Sequence, residues 1–486
     1  MREENSEWYL KASGRRRRQN NDKKQAEKKQ AHEIFEEPVE QEEFFRKNSD
    51  YVPRRRDSRQ KNEPEKLQRG VHRHMDRKKT VRARTSMFSI KSISEDTRNI
   101  LENFDSIIAD VRGLNSKQRL YLPNAIKRLS HQLTDNRGER RLGYMNDAES
   151  VSAYISYFMW WNLIRLVRLF ANMPEKAFSL ADDSVAVDIG SGPLTVPIAL
   201  WLAHPELRSR KIKWYCMDLS QTALAQGEEL YLSIAAKTIA NSGDKSITPW
   251  SIVRVRGPLG TEIKQKADFV VCANTFNEII QRNEMPTDFL AKKYSGSLTS
   301  YICNDTEKAA SVLIVEPGDP HSARFVSLMR DAFIRRNFMP LAPCPHTETC
   351  PMAGRTKGEM TGKWCNFGFN TDDAPAKLLK LSEKAGLPKE RAVLSFVLAR
   401  KTPNSVSEKE TMFQPENEKL QIRIASDFIK LPELHRSGYY ACSSHGLLLA
   451  IDEHKIHPEN GELLTIQQLP DDCEIDRKSG AIIVHI

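Results

Sequence analysis

Apolar positions recur at helical spacing from about residue 95. In "SEDTRNILENFDSIIADVRGL", Ile100, Leu101, Phe104, Ile107, Ile108 and Val111 fall on one stripe. "SKQRLYLPNAIKRLSHQL" and the stretch 148–170 continue that period, which predicts a helical domain over 85–175. From residue 183 the pattern changes, and short continuous apolar runs alternate with helical stretches. "SVAVDIG", "KIKWYCMDL", "WSIVRVRG", "ADFVVCANT", "SVLIVEPG" and "RAVLSFVLARK" have the character of strands. "PLTVPIALWLAHPE", "SQTALAQGEELYLSIAAKTIA", "SARFVSLMRDAFIRRN" and "APAKLLKLSEKAG" have that of helices. Strands apolar on both faces and separated by helices predict an α/β domain over 176–402, with a parallel sheet covered on both sides. "KTPNSVSEKETMFQPENEK" then breaks the pattern, so 403–418 is expected to be a linker. From 419 on, "LQIRIASDFIKL", "SGYYACSSHGLLLAID" and "AIIVHI" predict a small β domain, 419–486.

Charge adds one more region. The chain carries a net +10, and residues 1–84 hold 25 Lys+Arg against 16 Asp+Glu, so nearly all the basic excess lies there. "GRRRRQNNDKKQAEKKQ" and "VHRHMDRKKTVRAR" have too few apolar residues to bury a core, which predicts a disordered basic tail over 1–84. Such a tail suits phosphate binding by counterion release, or serves as a solvated linker. With 486 residues and 39% hydrophobic content, the remainder can support more than one domain. The start, "MREENSEWYL", lacks the apolar stretch of a secretory signal, and its acids argue against a mitochondrial presequence. The most apolar run, "VSAYISYFMWWNLIRLVRLF", carries Asn162, Arg165 and Arg168 and is expected to pack in a core and span no membrane. Eight cysteines in this context argue against a disulfide scaffold and for a reducing compartment: the cytoplasm, with the mitochondrial matrix as alternative.

"VAVDIGSGPLT" runs a strand into a glycine turn and then a helix. Gly190 and Gly192 let the backbone approach a ligand, and the helix start offers free N–H groups. No Gly-Lys-Ser/Thr follows, so this is not a P-loop. A dinucleotide fingerprint would place a third glycine at Leu194 or Thr195 and an acid about 20 residues on. Here the next strand ends in Asp218, 28 residues after Gly190. "DFVVCANTFNEI" follows the fourth strand, where Asn274, Asn277 and Glu278 are candidate polar contacts. Alternatively, Thr275 and Glu278 form a capping box for the next helix. No residue stands out as a general base.

Cys216 and Cys272 lie inside strand-like runs as small hydrophobes, and Cys303 and Cys473 have no companions at useful spacing. Cys344 and Cys350, each followed by proline, sit in a loop-like stretch. Cys365 follows, and Cys442 in the β domain is the candidate fourth ligand. Four soft ligands suit zinc or an iron–sulfur cluster. Structural zinc favours Cys-x2-4-Cys knuckles, whereas wide spacing with Cys-Pro pairs leans to a cluster.

The glycine turn and the acid at the next strand's end resemble the class I S-adenosylmethionine (SAM)-dependent methyltransferases. That resemblance implies Asp188, Gly190 and Gly192 along the methionine half of SAM, Asp218 at its ribose, and Asn274 beside the cofactor. "APCPHTETCPM", "WCNF", "IVEPGDP" and "CANTFNEI" together resemble a methyltransferase-like family, with mitochondrial and bacterial members, that helps assemble the small ribosomal subunit. The likeness covers residues 140–450. It implies a [4Fe-4S] cluster held by Cys344, Cys350, Cys365 and Cys442 in a Cys-rich insertion at 341–370, SAM as second cofactor, and small-subunit ribosomal RNA as partner of a monomer. The resulting expectation is a SAM-dependent rRNA methyltransferase with a class I Rossmann-like sheet, an N-terminal helical domain and a small C-terminal β domain. A catalytically idle assembly factor on the same fold is the alternative, followed by an NAD-dependent oxidoreductase with a zinc site.

Overall fold

The structure, a computed structural model, describes residues 81, 83–134, 144–281, 283–303, 309–354, 362–401, 419–431, 435–470 and 472–486. A short strand, β1 (Ala83–Thr85), precedes helices α1 (Glu95–Glu102), α2 (Phe104–Val111) and α3 (Ser116–Thr134). Ser94 caps α1, its Oγ accepting from Thr97 N at 3.2 Å. The stretch 148–170 is more than one regular helix. It comprises α4 (Ala148–Ala153), a π-helical segment at Tyr154–Met159, and α5 (Trp160–Ala171). The wider π turn shifts the phase of the helix between two aromatic groups, burying Trp160 and Trp161 in the core.

The central sheet is built from β2 (Val185–Ile189), β3 (Lys213–Asp218), β4 (Ser251–Arg256), β5 (Phe269–Ala273), β6 (Ala310–Pro317), β7 (Phe338–Ala342), β8 (Phe367–Asn370) and β9 (Arg391–Lys401). Its order is β4-β3-β2-β5-β6-β9-β7, with β8 also paired to β9. The strands from β4 to β6 are parallel, but β9 runs antiparallel to β6, β7 and β8. The expected all-parallel sheet is therefore corrected to a mixed one. An apolar run buried on both faces reports burial and leaves direction open. Two sheet strands escaped the pattern: β8, only four residues long, and β7, which carries Pro340 and is tolerated because it closes the sheet edge.

Between the strands lie α6 (Thr195–Ala203), α7 (Gln221–Ser242), α8 (Phe276–Gln281), α9 (Thr287–Thr299), α10 (Pro320–Ile334) and α11 (Ala376–Lys384). On one face a continuous core joins α1–α7 to the sheet through Phe104, Trp160, Trp161, Trp201 and Trp214. The helical region 85–175 thus has no separate core. Phe276, Phe325 and Phe333 fill the other face. Among the described residues, no helix is long and apolar enough to cross a membrane.

A second sheet comprises β10 (Lys419–Ile424), β11 (Ile429–Leu431), β12 (Arg436–Ser443), β13 (Gly446–Asp452), β14 (Leu463–Gln467) and β15 (Ile482–His485), together with β1. It has its own core, including Ile422, Ile424, Leu448 and Leu464. β1 pairs antiparallel with β14, and Arg84 donates to Glu462 Oε1 at 2.5 Å. Residues 83 and 84, expected in the tail, therefore stand in a strand. The rest of that tail but for residue 81, and the expected linker 403–418, lie outside the described residues.

Candidate functional site

The turn after β2 takes the conformation its glycines permit, with φ 69° at Gly190 and 52° at Gly192. A Cβ on Gly190 would stand 2.1 Å from Thr275 Oγ1, because the turn packs on the corner between β5 and α8. A Cβ on Gly192 would meet nothing within 4 Å, so the backbone there faces open space. Gly190 N and Ser191 N donate to Met217 O at 2.9 and 3.0 Å, tying the turn to the end of β3. Leu194, where a dinucleotide fold would set glycine, is itself left-handed at φ 59° and fully buried. Core packing there outweighs the ~1–2 kcal/mol that the conformation costs a residue with a Cβ.

Three carboxyls gather at the carboxyl ends of the strands, Asp188 and Glu316 buried and Asp218 half-buried. Asp188 Oδ2 accepts from Ser191 Oγ at 2.6 Å, while its buried Oδ1 has no partner. Burial pushes the Asp188 carboxyl up to about 7. Asp218 accepts from Gly192 N at 2.9 Å and Ser220 N at 2.8 Å, and burial raises its pKa against those bonds. Glu316 ends β6 and is 1% exposed. Its Oε1 accepts from Thr275 N at 3.1 Å and Phe276 N at 2.8 Å, and its Oε2 from Asn277 N at 3.0 Å.

The last contacts correct the capping-box expectation. The start of α8 is satisfied by a carboxylate from a neighbouring strand, and Thr275 Oγ1 instead donates to Ala273 O at 3.2 Å. The sequence signal for Glu316 was an acid closing an otherwise apolar strand, "SVLIVEP". Burial lifts its carboxyl to about 8. Asn274 follows β5 at φ 54°, a strained conformation held by its N–H donating to Val315 O at 2.7 Å. Asn277 Oδ1 is buried without a partner. The π-helical segment adds Tyr154, whose hydroxyl pKa is raised by burial and by the nearby charges of Glu278 and Asp218. Arg165, on α5, donates to Val393 O at 2.8 Å and to Asn162, and burial lowers its pKa to about 10. Sequence reading had given no role to Tyr154, Arg165 or Glu316.

The second group of candidates comes from distant segments. Cys344 follows β7, Cys350 lies further along the same loop, Cys365 precedes β8, and Cys442 is in β12. Cys365 N donates to Met352 O at 3.2 Å, and Ala353 bridges Trp364, which joins the segments of Cys350 and Cys365. Arg330, 3% exposed on α10, donates from Nε to Cys344 Sγ at 3.2 Å, and its Nη2 reaches the carbonyls of His346 and Glu348 at 2.8 and 2.7 Å. Arg423 donates from Nε to Pro343 O and from Nη1 to Gly461 O, both at 2.8 Å, linking the cysteine loop to the second sheet. His346 Nε2 lies 2.9 Å from Cys442 Sγ, and its Nδ1 is buried without a partner.

Burial pushes the Cys344 thiol up to about 11, and that of Cys365 further above the usual thiol value. The charges of Cys350, Cys344 and Cys442 add to the rise at Cys365, while Arg423 opposes it. Cys442 is raised in the same way, by burial and by Cys344 and Cys350. The four thiols are thus within electrostatic reach of one another. Among the described residues, no three His, Cys, Asp or Glu side chains gather closely enough to hold a metal ion. Arg423 was overlooked because strand alternation puts it on the same face as exposed Gln421. That face is covered at Arg423 by the cysteine loop, and Cys442 is Arg423's cross-strand partner.

The sheet has five parallel strands and an antiparallel one inserted before the edge. Matching solved structures include ribosomal protein L11 methylase from Lactobacillus delbrueckii subsp. bulgaricus, at 15% identity over 37% of this chain and 68% of that one, TM-score 0.23. Geranyl diphosphate C-methyltransferase from Streptomyces coelicolor A3(2) matches at 10% identity over 58% of this chain and 98% of that one, TM-score 0.25. A SAM-dependent methyltransferase from Geobacter sulfurreducens matches at 12% identity over 57% and 98%, TM-score 0.26. No curated protein matches the chain. The family described as mitochondrial small ribosomal subunit Rsm22 matches residues 149–427, more than half of the chain, taking in the glycine turn and Cys344, Cys350 and Cys365. The chain belongs to the Rsm22 family.

Proposed function

We propose that this chain is a SAM-binding, iron–sulfur, methyltransferase-like protein that acts on the RNA of the small ribosomal subunit. The observation that carries the reading is the set of carboxyls at the ends of β2, β3 and β6, with Asp188 and Glu316 buried and Asp218 half-buried, beside the open backbone of Gly192. Ligands of open α/β sheets bind at the carboxyl ends of the strands. SAM carries a sulfonium and an ammonium, and positive charge there offsets the burial of the Asp188 and Asp218 carboxylates. Asp188, Gly190, Gly192, Asp218 and Asn274 would hold it. Bound SAM supplies an electrophilic methyl group, and such transfer can run on positioning alone.

The donor set at the second site fits a [4Fe-4S] cluster. Thiolate ligands are soft, and the buried guanidiniums of Arg330 and Arg423 balance the negative charge of a thiolate-ligated cluster. Cys344, Cys350, Cys365 and Cys442 would bind it, cross-linking the loop to the second sheet. The family's description favours the mitochondrial matrix over the cytoplasm.

A second reading, an assembly factor without turnover, is supported by the half-buried Tyr154, which lies within electrostatic reach of Asp218 and Glu278 and would narrow the approach to a cofactor held there. Anaerobically purified full chain, given labelled SAM and immature small subunits, separates the two. Methyl incorporation into RNA supports the enzyme, and SAM binding with none supports the assembly factor. Failure to bind SAM by calorimetry, or a colourless preparation without absorbance near ~400 nm, overturns the corresponding half of the proposal.

A further inference from the structure

A cleft of about 1010 Å³ lies between the β8–β9 side of the central sheet and the second sheet, and none of the candidate cofactor or cysteine ligands lines it. Its mostly polar lining includes four aromatic rings, Phe88, Phe369, Phe428 and Tyr439. Phe88 and Phe369 pair at 5.0 Å between centroids, and the Arg168 guanidinium lies 4.3 Å from the Phe369 ring centre. Phe428 stands at the cleft 58% exposed, a large apolar ring left in water. The charges of the cleft largely cancel: Arg168 pairs with Asp373 at 2.6 Å, and Arg391 pairs with Asp427. Asn460 Nδ2 also donates to Asp427, at 3.3 Å. That leaves one buried donor, Arg391 Nε, and one buried acceptor, Asn460 Oδ1, without partners.

Three cationic side chains of the lining, Lys91, Arg168 and Arg391, are balanced by three carboxylates, Asp373, Asp427 and Glu459, which makes it a poor sink for phosphate. A cleft offering the exposed ring of Phe428 and the half-buried ring of Phe369, backed by the Arg168 guanidinium, suits a flat, uncharged ligand. We propose that it takes unstacked nucleobases from a single-stranded stretch of small-subunit ribosomal RNA, with Phe428 as the stacking platform. The inference rests on the RNA-binding reading above and supplies it with a site. The volume accommodates more than one base, since ligand pockets run from ~300 Å³ upward.

The test uses the full chain, a fluorescent single-stranded RNA 12-mer, a hairpin duplex of equal charge, and protein-free small-subunit RNA. Phe428→Ala is expected to weaken single-strand binding about tenfold, to leave duplex binding unchanged, and to be rescued by Phe428→Trp. Because Phe428 is exposed, the variant keeps its fold, checked by an unchanged melting temperature. Wild-type binding to small-subunit RNA that Phe428→Ala does not alter overturns the cleft alone. A wild type that binds no small-subunit RNA overturns the RNA reading and the cleft with it. If Phe428→Ala instead loses only small-subunit proteins in co-sedimentation, the cleft is a protein site and the proposal is wrong.

Discussion

The two candidate sites differ in the sign of what they bury. At the carboxyl ends of β2, β3 and β6 the chain buries Asp188 and Glu316 and half-buries Asp218, with their pKa values pushed up. Around the cysteines it buries Arg330 and Arg423, with thiols raised by burial and by each other. Arg330 is paired with Asp331 at 2.7 Å, while Arg423 donates to the carbonyls of Pro343 and Gly461, so the cysteine site keeps a cationic surround that suits an anion, and the carboxyl site suits a cation. They also differ in how they are assembled. The first uses turns at the ends of neighbouring strands; the second needs a loop after β7, the approach to β8, and a strand of another sheet.

The comparison can be broken by treating the sites alike. Cys442→Ser should have the largest effect, on the order of 5 kcal/mol or more in the cluster-loaded protein and little in the metal-free one, because metal-binding energy is folding energy. Denaturant melts of the two forms check this, and equal losses would remove the cross-linking role. Arg423→Met leaves the carbonyls of Pro343 and Gly461 without their donor and should cost about 3 kcal/mol by urea unfolding. Gly190→Ala forces a Cβ to 2.1 Å from Thr275 Oγ1 at a left-handed φ, and should cost about 2 kcal/mol by the same measurement. Gly192→Ala, with no contact within 4 Å, should cost less but weaken SAM binding more.

The buried acids sharpen the contrast through pH. The Glu316 pKa is raised from 4.5 to about 8, so the folded state holds its proton to higher pH than the unfolded state does. Its contribution is fully present below about pH 4.5 and is lost as pH rises through about 8. Thermal melts across that window should show stability falling by at most about 1.4 kcal/mol per pH unit from this group, with the slope reduced in Glu316→Gln. Asp218→Ala should weaken SAM binding about tenfold by calorimetry without unfolding the chain. An unaltered affinity would separate Asp218 from the ribose role.

Much of the first site was legible because its information is local. An apolar run, glycines and a helix define the turn in one stretch, "VAVDIGSGPLT", and Asp218 closes the next strand. What the sequence by itself determined is the alternation of strands and helices, the glycine turn, and the residue types able to ligate a metal. Only the tertiary structure decided that β9 runs antiparallel, that Glu316 caps α8 in place of a local capping box, and that β1 joins the last sheet. It also decided that Arg423, on the face alternation assigns to solvent, is buried against the cysteine loop. Periodicity reports which face of an element is apolar. It carries no information on which distant segment will dock there, and a buried polar partner is chosen by that docking.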